Sequence, residues 1–152
     1  MSYKWDCRFL ELAKHVAQWS KDPSTQVGAV IVDDLRRIVS VGYNGFPRGV
    51  VDSAERYEDR KQKYALVVHA EANAILSPQQ SVRGCTLYAT LHPCEECAKL
   101  VVQAGLTRVV IPTGTTEARR QQLIERGADD MLLNMELAQT ILCEGGVEVD
   151  AV

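Results

Sequence analysis

Two short segments far apart in the chain carry side chains that belong together: His69-Ala70-Glu71, and Cys94-Glu95-Glu96-Cys97 directly behind Pro93. One imidazole and two thiols make a zinc donor set. Three protein ligands leave a fourth position for water, whereas structural zinc sites are usually closed by four. Glu71 stands two residues past the histidine, near enough to exchange a proton with such a water without ligating. Cys94 and Cys97 are three apart and share one face if the segment after Pro93 is helical. Any fold of this chain must therefore bring two helix starts to one point. Unpaired N–H groups and the positive dipole end at a helix start favour thiolates and offset their charge. Zinc with two thiolates is formally neutral and a weaker Lewis acid than zinc on three histidines, so a neighbouring base has work to do.

The rest of the chain alternates in a way that supplies those helices. Phe9, Leu12, Ala13, Val16 and Ala17 recur at helical spacing and predict a helix over 4–19, stopped by Lys21-Asp22-Pro23. Segments 27–32 and 38–43 flank Asp33-Asp34-Leu35-Arg36-Arg37 and read as a β-hairpin. From Gly45 to Lys63 the chain is polar and reads as a long connection. Beyond it the pattern predicts helix 69–76, strand 85–90, helix 95–104, strand 108–111, helices 117–126 and 130–143, and a short strand at 147–149 after Gly145-Gly146. Right-handed crossovers make strands 85–90 and 108–111 parallel. The expected fold class is α/β, a three-layer α/β/α sandwich around a central mixed sheet of about five strands.

Composition narrows the function classes. A chain of 152 residues with 46% hydrophobic residues fits one domain over 1–152. A net charge of −3 argues against a broad basic face for duplex nucleic acid, and 6% aromatics with no long basic run argue against a strand-tracking groove. No apolar run approaches the about 20 residues of a membrane span. The odd count of five cysteines and the absence of an export stretch at the N-terminus point to a reduced, cytoplasmic protein. A Cys-x-x-Cys in such a protein is also a redox pair, but that leaves His69 and Glu71 without a role. His15 reads as a surface or rim residue and His92 as a neighbour of the pocket. Cys7, Cys85 and Cys143 read as small buried hydrophobes.

With these segments in place the chain resembles the zinc nucleobase deaminases, and within them the deoxycytidylate (dCMP) deaminases, over roughly residues 5–111. The resemblance is carried by Ser20-Lys21-Asp22-Pro23-Ser24-Thr25-Gln26-Val27-Gly28-Ala29, Gly42-Tyr43-Asn44-Gly45-Phe46-Pro47, Lys63-Tyr64, the two zinc segments, and Gln103-Ala104-Gly105. It implies a cytidine deaminase-like fold with one catalytic Zn²⁺ per subunit on His69, Cys94 and Cys97. Glu71 would carry protons during hydrolytic deamination of dCMP to dUMP and ammonia. It further implies Asn44 as a sugar-binding residue beside the base pocket, Lys21, Ser24 and Thr25 as a phosphate-side loop, and Ala70 as a further substrate contact. Tyr88, on the strand expected to face the zinc helices, is placed as a pocket wall. Relatives assemble as homo-oligomers, often hexamers, and the apolar residues of helix 130–143 exceed one narrow face. Members that bind dCTP as activator and dTTP as inhibitor make those nucleotides candidate effectors.

The sequence also departs from the pattern. Trp19 replaces a customary arginine, His92 a common phenylalanine, and Pro112-Thr113-Gly114-Thr115-Thr116 lacks the lysine and tyrosine that help hold the phosphate in relatives. Two further readings stay open: the same zinc chemistry on a nucleoside, a modified cytosine nucleotide or another aminated base, and a zinc-stabilised binding module without turnover.

Overall fold

Alternation along the strands builds the core. The computed structural model, which describes residues 2–152, contains a five-stranded sheet in the order β2-β1-β3-β4-β5, with β1 Gly28–Val32, β2 Ile38–Tyr43, β3 Thr86–Ala89, β4 Arg108–Ile111 and β5 Glu148–Ala151. β1 runs antiparallel to both β2 and β3, while β3, β4 and β5 are parallel. Every residue of β1 is buried because both faces of the strand are covered. Ala29, Ile31, Leu87, Ala89, Val109 and Ile111 face one side; Val30, Val32, Tyr88 and Val110 face the other. Helix α1 (Tyr3–Ala17) covers the second side with Phe9, Leu10, Ala13 and Val16. The first side is covered by α4 (Ala70–Leu76), α5 (Glu95–Ala104) and α7 (Asp129–Glu144), through Ala70, Ala74, Ala98, Val101, Ala138 and Leu142. The three-layer α/β/α arrangement read from the sequence is the one observed.

Two glycines set the layer spacing. A Cβ on Gly28 would run into the backbone of Ala13 and Ala17 in α1, and one on Gly42 into the backbone of Ala70 and Ala74 in α4. Both helices approach the sheet so closely that no side chain fits between. At the β1–β2 hairpin, Asp33 Oδ1 accepts from the N–H groups of Leu35 (3.0 Å) and Arg37 (2.8 Å), while Arg36 adopts a left-handed φ of 65°.

Several boundaries differ from expectation. α1 ends at Ala17 because the N–H groups of Gln18, Trp19 and Ser20 turn back onto His15, Val16 and Ala17 in tighter i→i−3 bonds. The stretch 45–63 read as a connection contains α2 (Ala54–Glu58) and the first half of α3 (Arg60–Leu66). Both are too short and polar to show a periodic face. α3 is started by Asp59, whose side chain accepts from Lys61 and Gln62 N–H, and α2 is anchored by Tyr57 stacking on Phe46 at 4.3 Å. α6 (Thr115–Glu125) begins two residues early, and β5 is one residue later and longer than expected. Among the described residues no helix is long and apolar enough to cross a membrane.

Candidate metal centre and active site

Sheet direction gathers the chemistry at one end. Because β1 is antiparallel to its neighbours, its first residue lies at the same end as the last residues of β2, β3 and β4. Segments 20–27, 44–45, 90–94 and 112–114 therefore all emerge at that end, which is the carboxyl end of the parallel strands, where open α/β sheets bind ligands. Gly45 and Val68 exchange two backbone hydrogen bonds of 3.1 and 2.8 Å, which brings the residue before His69 alongside the one after Asn44. The amide of Asn73 donates to Tyr43 O at 2.8 Å and ties α4 to the end of β2.

His69 is the N-cap of α4 and Cys94 the N-cap of α5, with Cys97 in the first turn of α5. His69 Nδ1 lies 3.3 Å from Cys94 Sγ and 3.5 Å from Cys97 Sγ, and all three donor atoms fall within 4.8 Å of one another. Zn–S bonds of about 2.3 Å and Zn–N bonds of about 2.0 Å at tetrahedral angles separate ligand atoms by about 3.5–3.8 Å. The spacing of this donor set fits zinc. Hydrogen bonding from Cys97, aided by His69 and opposed by burial, pulls Cys94 down to about 4. The neighbouring Cys94 thiolate and burial push Cys97 the other way, up. The Cys94 thiolate in turn raises His69.

Glu71 sits in the first turn of α4, 4% exposed, with Oε2 3.7 Å from Cys97 Sγ. Desolvation raises its carboxyl above the ordinary range. Ala70 is fully buried between the histidine and this glutamate.

The remaining predicted contacts divide. Asn44 is buried at this end of the sheet, but its amide is engaged by the protein: Oδ1 accepts from Val27 N–H at 2.8 Å, and Nδ2 donates to Thr25 O at 2.9 Å and Asp22 Oδ2 at 3.4 Å. The Ser24 and Thr25 N–H groups and the Ser24 hydroxyl all converge on Asp22 Oδ1. Lys21 turns outward and pairs with Asp52 at 2.8 Å. Tyr88 requires a correction. It lies on the α1 side of the sheet, against Phe9 at 5.1 Å, with its hydroxyl donating to Asp6 Oδ1 at 2.6 Å. Leu87 and Ala89 face α4 and α5, so strand parity turns Tyr88 away from the zinc helices.

Sequence reasoning gave no role to two residues that organise this region. Asp22 and Lys63, 41 positions apart, form a buried ion pair of 2.9 Å, and Lys63 Nζ also donates to Ser24 Oγ at 2.6 Å. Both lie in the segments that carry the family resemblance, but nothing in their spacing pairs them. His92 is half-buried and joins the Pro93 carbonyl (2.8 Å) to Gln139 of α7 (3.1 Å) rather than entering the metal cluster. Of the three other cysteines only Cys85 is buried; Cys7 is half-buried and Cys143 exposed.

Residues 3–113 match the sequence model of the cytidine and deoxycytidylate deaminase zinc-binding region. The chain belongs to this deaminase family. It is 42% identical over 149 residues to an uncharacterized deaminase of the luxG 3′ region in Aliivibrio fischeri, covering 98% of this chain and 94% of that protein. It is 45% identical over 113 residues to the deoxycytidylate deaminase of Homo sapiens, covering 70% of this chain and 64% of the human protein, so the matched region spans less than two thirds of that relative. Its fold matches the crystal structure of the dCMP deaminase from cyanophage S-TIM5 in complex with dCMP and dUMP, with a TM-score of 0.73, 24% identity and coverage of 100% and 99% of the two chains. Family membership and the His69, Cys94, Cys97 cluster agree on zinc.

Proposed function

We propose that this deaminase family member hydrolyses the amino group of a cytosine nucleotide, with dCMP as substrate and dUMP and ammonia as products, as a single catalytic domain holding one zinc ion per subunit. The observation that carries the reading is the buried Glu71 carboxyl beside the His69, Cys94, Cys97 cluster. A purely structural zinc site has no use for a buried carboxyl that is not a ligand.

His69, Cys94 and Cys97 would hold zinc, which would supply the Lewis acidity that eases loss of a proton from the attacking water. Glu71 accepts a proton from the attacking water and delivers it to N3 of the ring as the water oxygen adds at C4. Glu71 next carries the remaining proton of that oxygen to the 4-amino group; the C4–N bond breaks, ammonia leaves and the C4 carbonyl forms. Burial of Glu71 keeps bulk water from competing for these protons.

Asn44, set beside the segment leading to His69, supports sugar recognition. Phosphate recognition has different support from that read in the sequence, because Lys21 pairs with Asp52 at the surface, and Asp22 takes the Ser24 hydroxyl and the Ser24 and Thr25 N–H groups inside the protein. The N-terminus of α6 opens at the same end of the sheet and brings Thr116, whose buried Oγ1 has no hydrogen-bond partner among the described residues. Helix N-termini suit phosphate. That same internal engagement favours a second reading, in which the substrate is the nucleoside. Ammonia release from dCMP, CMP, deoxycytidine, cytosine, guanine and a short single-stranded oligonucleotide separates these readings. Glu71→Gln is expected to keep stoichiometric zinc by elemental analysis and to lose about 10²–10⁴-fold in kcat; near-normal turnover would overturn the assignment.

We infer a cytoplasmic homo-oligomer. Its support is the exposed Leu133 and Leu137, one turn apart on α7, with Met131 on the same helix and Ile124 on α6, apolar side chains that a subunit contact would cover. The family resemblance offers a hexamer as its size and dCTP and dTTP as its effectors. Light scattering checks assembly, and a sigmoidal dCMP velocity curve made hyperbolic by dCTP checks the effectors.

A further inference from the structure

The Asn44 amide has only one orientation that its surroundings accept. Val27 N–H must meet an acceptor, and Thr25 O and the Asp22 carboxylate must meet donors. Rotating the amide by half a turn would set its NH₂ against the Val27 N–H and its oxygen against two other oxygens. Both Nδ2 protons are therefore spent inside the protein. What Asn44 retains for a ligand is the second lone pair of Oδ1, so it can accept a hydrogen bond but not donate one.

The carboxylate enforcing this orientation is held in turn. Asp22 Oδ1 receives Lys63 Nζ (2.9 Å), Ser24 N–H (2.9 Å), Ser24 Oγ–H (3.0 Å) and Thr25 N–H (3.1 Å), which leaves Oδ2 to face Asn44. The Asp22 N–H donates to Ser20 Oγ, and that hydroxyl donates to Asn44 O at 2.8 Å. Lys63 lies on α3, whose chain continues through Val67 and Val68 to His69. One buried cation thus joins the segment entering the metal site to the loop that aims Asn44.

We propose that the Asp22–Lys63 ion pair is a specificity-determining positioning device: it fixes Asn44 as an obligate hydrogen-bond acceptor and so selects a substrate that offers a sugar hydroxyl at that point. The inference rests on the reading of the site as a cytosine nucleotide deaminase. Asp22 acts through Asn44 and touches no reacting atom. Its loss should fall on the hydroxyl contact and not on the chemical step.

The test compares dCMP with 2′,3′-dideoxycytidine monophosphate, which lacks the 3′-hydroxyl. Wild type is expected to favour dCMP in kcat/KM by at least about fivefold, the worth of one hydrogen bond. In Asp22→Asn that preference should shrink to near unity, with the loss in KM for dCMP and kcat little changed. Asp22→Asn/Lys63→Gln, which strands no buried cation, serves if the single variant fails to fold. Asn44→Ala should abolish the preference, and adding Asp22→Asn to it should not change it further. A preference for dCMP that survives intact in the folded Asp22 variants overturns the proposal, as does an equal loss on both substrates. Side-chain amide ¹⁵N spectra probe the orientation without turnover: the Asn44 NH₂ protons should be protected from exchange in wild type and exchange faster in the double variant. Equal exchange in the two proteins refutes the positioning role. Absence of dCMP turnover in wild type refutes the substrate reading alone.

Discussion

Replacing Gly42 by alanine should damage the metal site although residue 42 touches none of the donor atoms. Gly42 lies on β2 where α4 crosses it. An added Cβ would stand well inside contact distance of Ala70 O and Ala74 N, and 3.0 Å from Ala74 Cα. All three are backbone atoms, so no rotamer change relieves the overlap, and α4 would have to retreat by roughly 1 Å to reach ordinary van der Waals separation. Ala70 and Ala74 are fully buried, so that retreat opens the layer they fill. Overpacking of this kind costs about 3 kcal/mol, at the upper end of the usual range, and should lower Tm by about 6–12 °C in a domain of this size. The same helix carries His69 at its N-cap and Glu71 in its first turn. A misplacement of about 1 Å in a catalytic group can cost about a hundredfold in rate. Thermal unfolding by circular dichroism and steady-state ammonia release from dCMP measure the two effects, with Gly84→Ala as control. Gly84 has a positive φ of 77° and open space around its Cβ position, so its substitution carries only the strain of a left-handed backbone, about 1–2 kcal/mol. Its kcat should be that of wild type. If Gly42→Ala melted within about 2 °C of wild type and kept its kcat, the close approach of α4 to β2 would not be what holds the site.

Two further predictions concern the opposite face of the sheet. Tyr88→Phe removes the hydroxyl that donates to Asp6 and should cost about 1 kcal/mol in urea unfolding while leaving KM for dCMP unchanged; a raised KM would return Tyr88 to the pocket. Burial, the largest single influence on Asp6, pushes its carboxyl up, but hydrogen bonds from Arg108 and Tyr88 outweigh it and hold it below the ordinary range. Its stabilisation is accordingly complete above the unfolded-state value of about 3.9 and is lost as pH falls through the depressed folded-state value. Asp6→Asn should be about 3 kcal/mol less stable than wild type at neutral pH, because it breaks a buried ion pair. That gap should narrow below about pH 4; a gap that stayed constant into strong acid would contradict the assignment.

How much of this was legible in the sequence follows from the range of the interactions. The β1–β2 hairpin, α5 and the parallel strands β3 and β4 were readable because each is specified by its own residues: the unbroken β-branched run of Val30, Ile31 and Val32, and Pro93 before the first turn of α5. The metal donors were readable for a related reason, since a histidine and a Cys-x-x-Cys at two helix starts satisfy a chemical requirement that few other arrangements meet. α2 and α3 were not readable. Their stability comes from single long-range contacts, Tyr57 on Phe46 and Lys63 on Asp22, and not from a repeating face.

The misplacement of Tyr88 and the missed pairing of Asp22 with Lys63 have a common physical origin. A strand's sequence says which residues share a face, but the side on which each helix packs decides which face meets the metal. Here β3 gives Leu87 and Ala89 to the α4 and α5 layer and Tyr88 to α1. In the same way, a lysine closing a polar connection gives no sign of burial until the fold shows it against a carboxylate 41 positions away. A buried charge is costly unless it is paired and hydrogen-bonded, and this pair draws in Ser24, Thr25 and, through Asp22, Asn44. The donor cluster and its buried carboxyl, on which the proposed chemistry rests, are therefore written locally, in His69, Glu71, Cys94 and Cys97. The orientation of Asn44, and with it the proposed recognition of the sugar, is distributed over three segments whose alignment exists only once the sheet has formed, so the donor cluster could be read before the fold and the aim of Asn44 only after it.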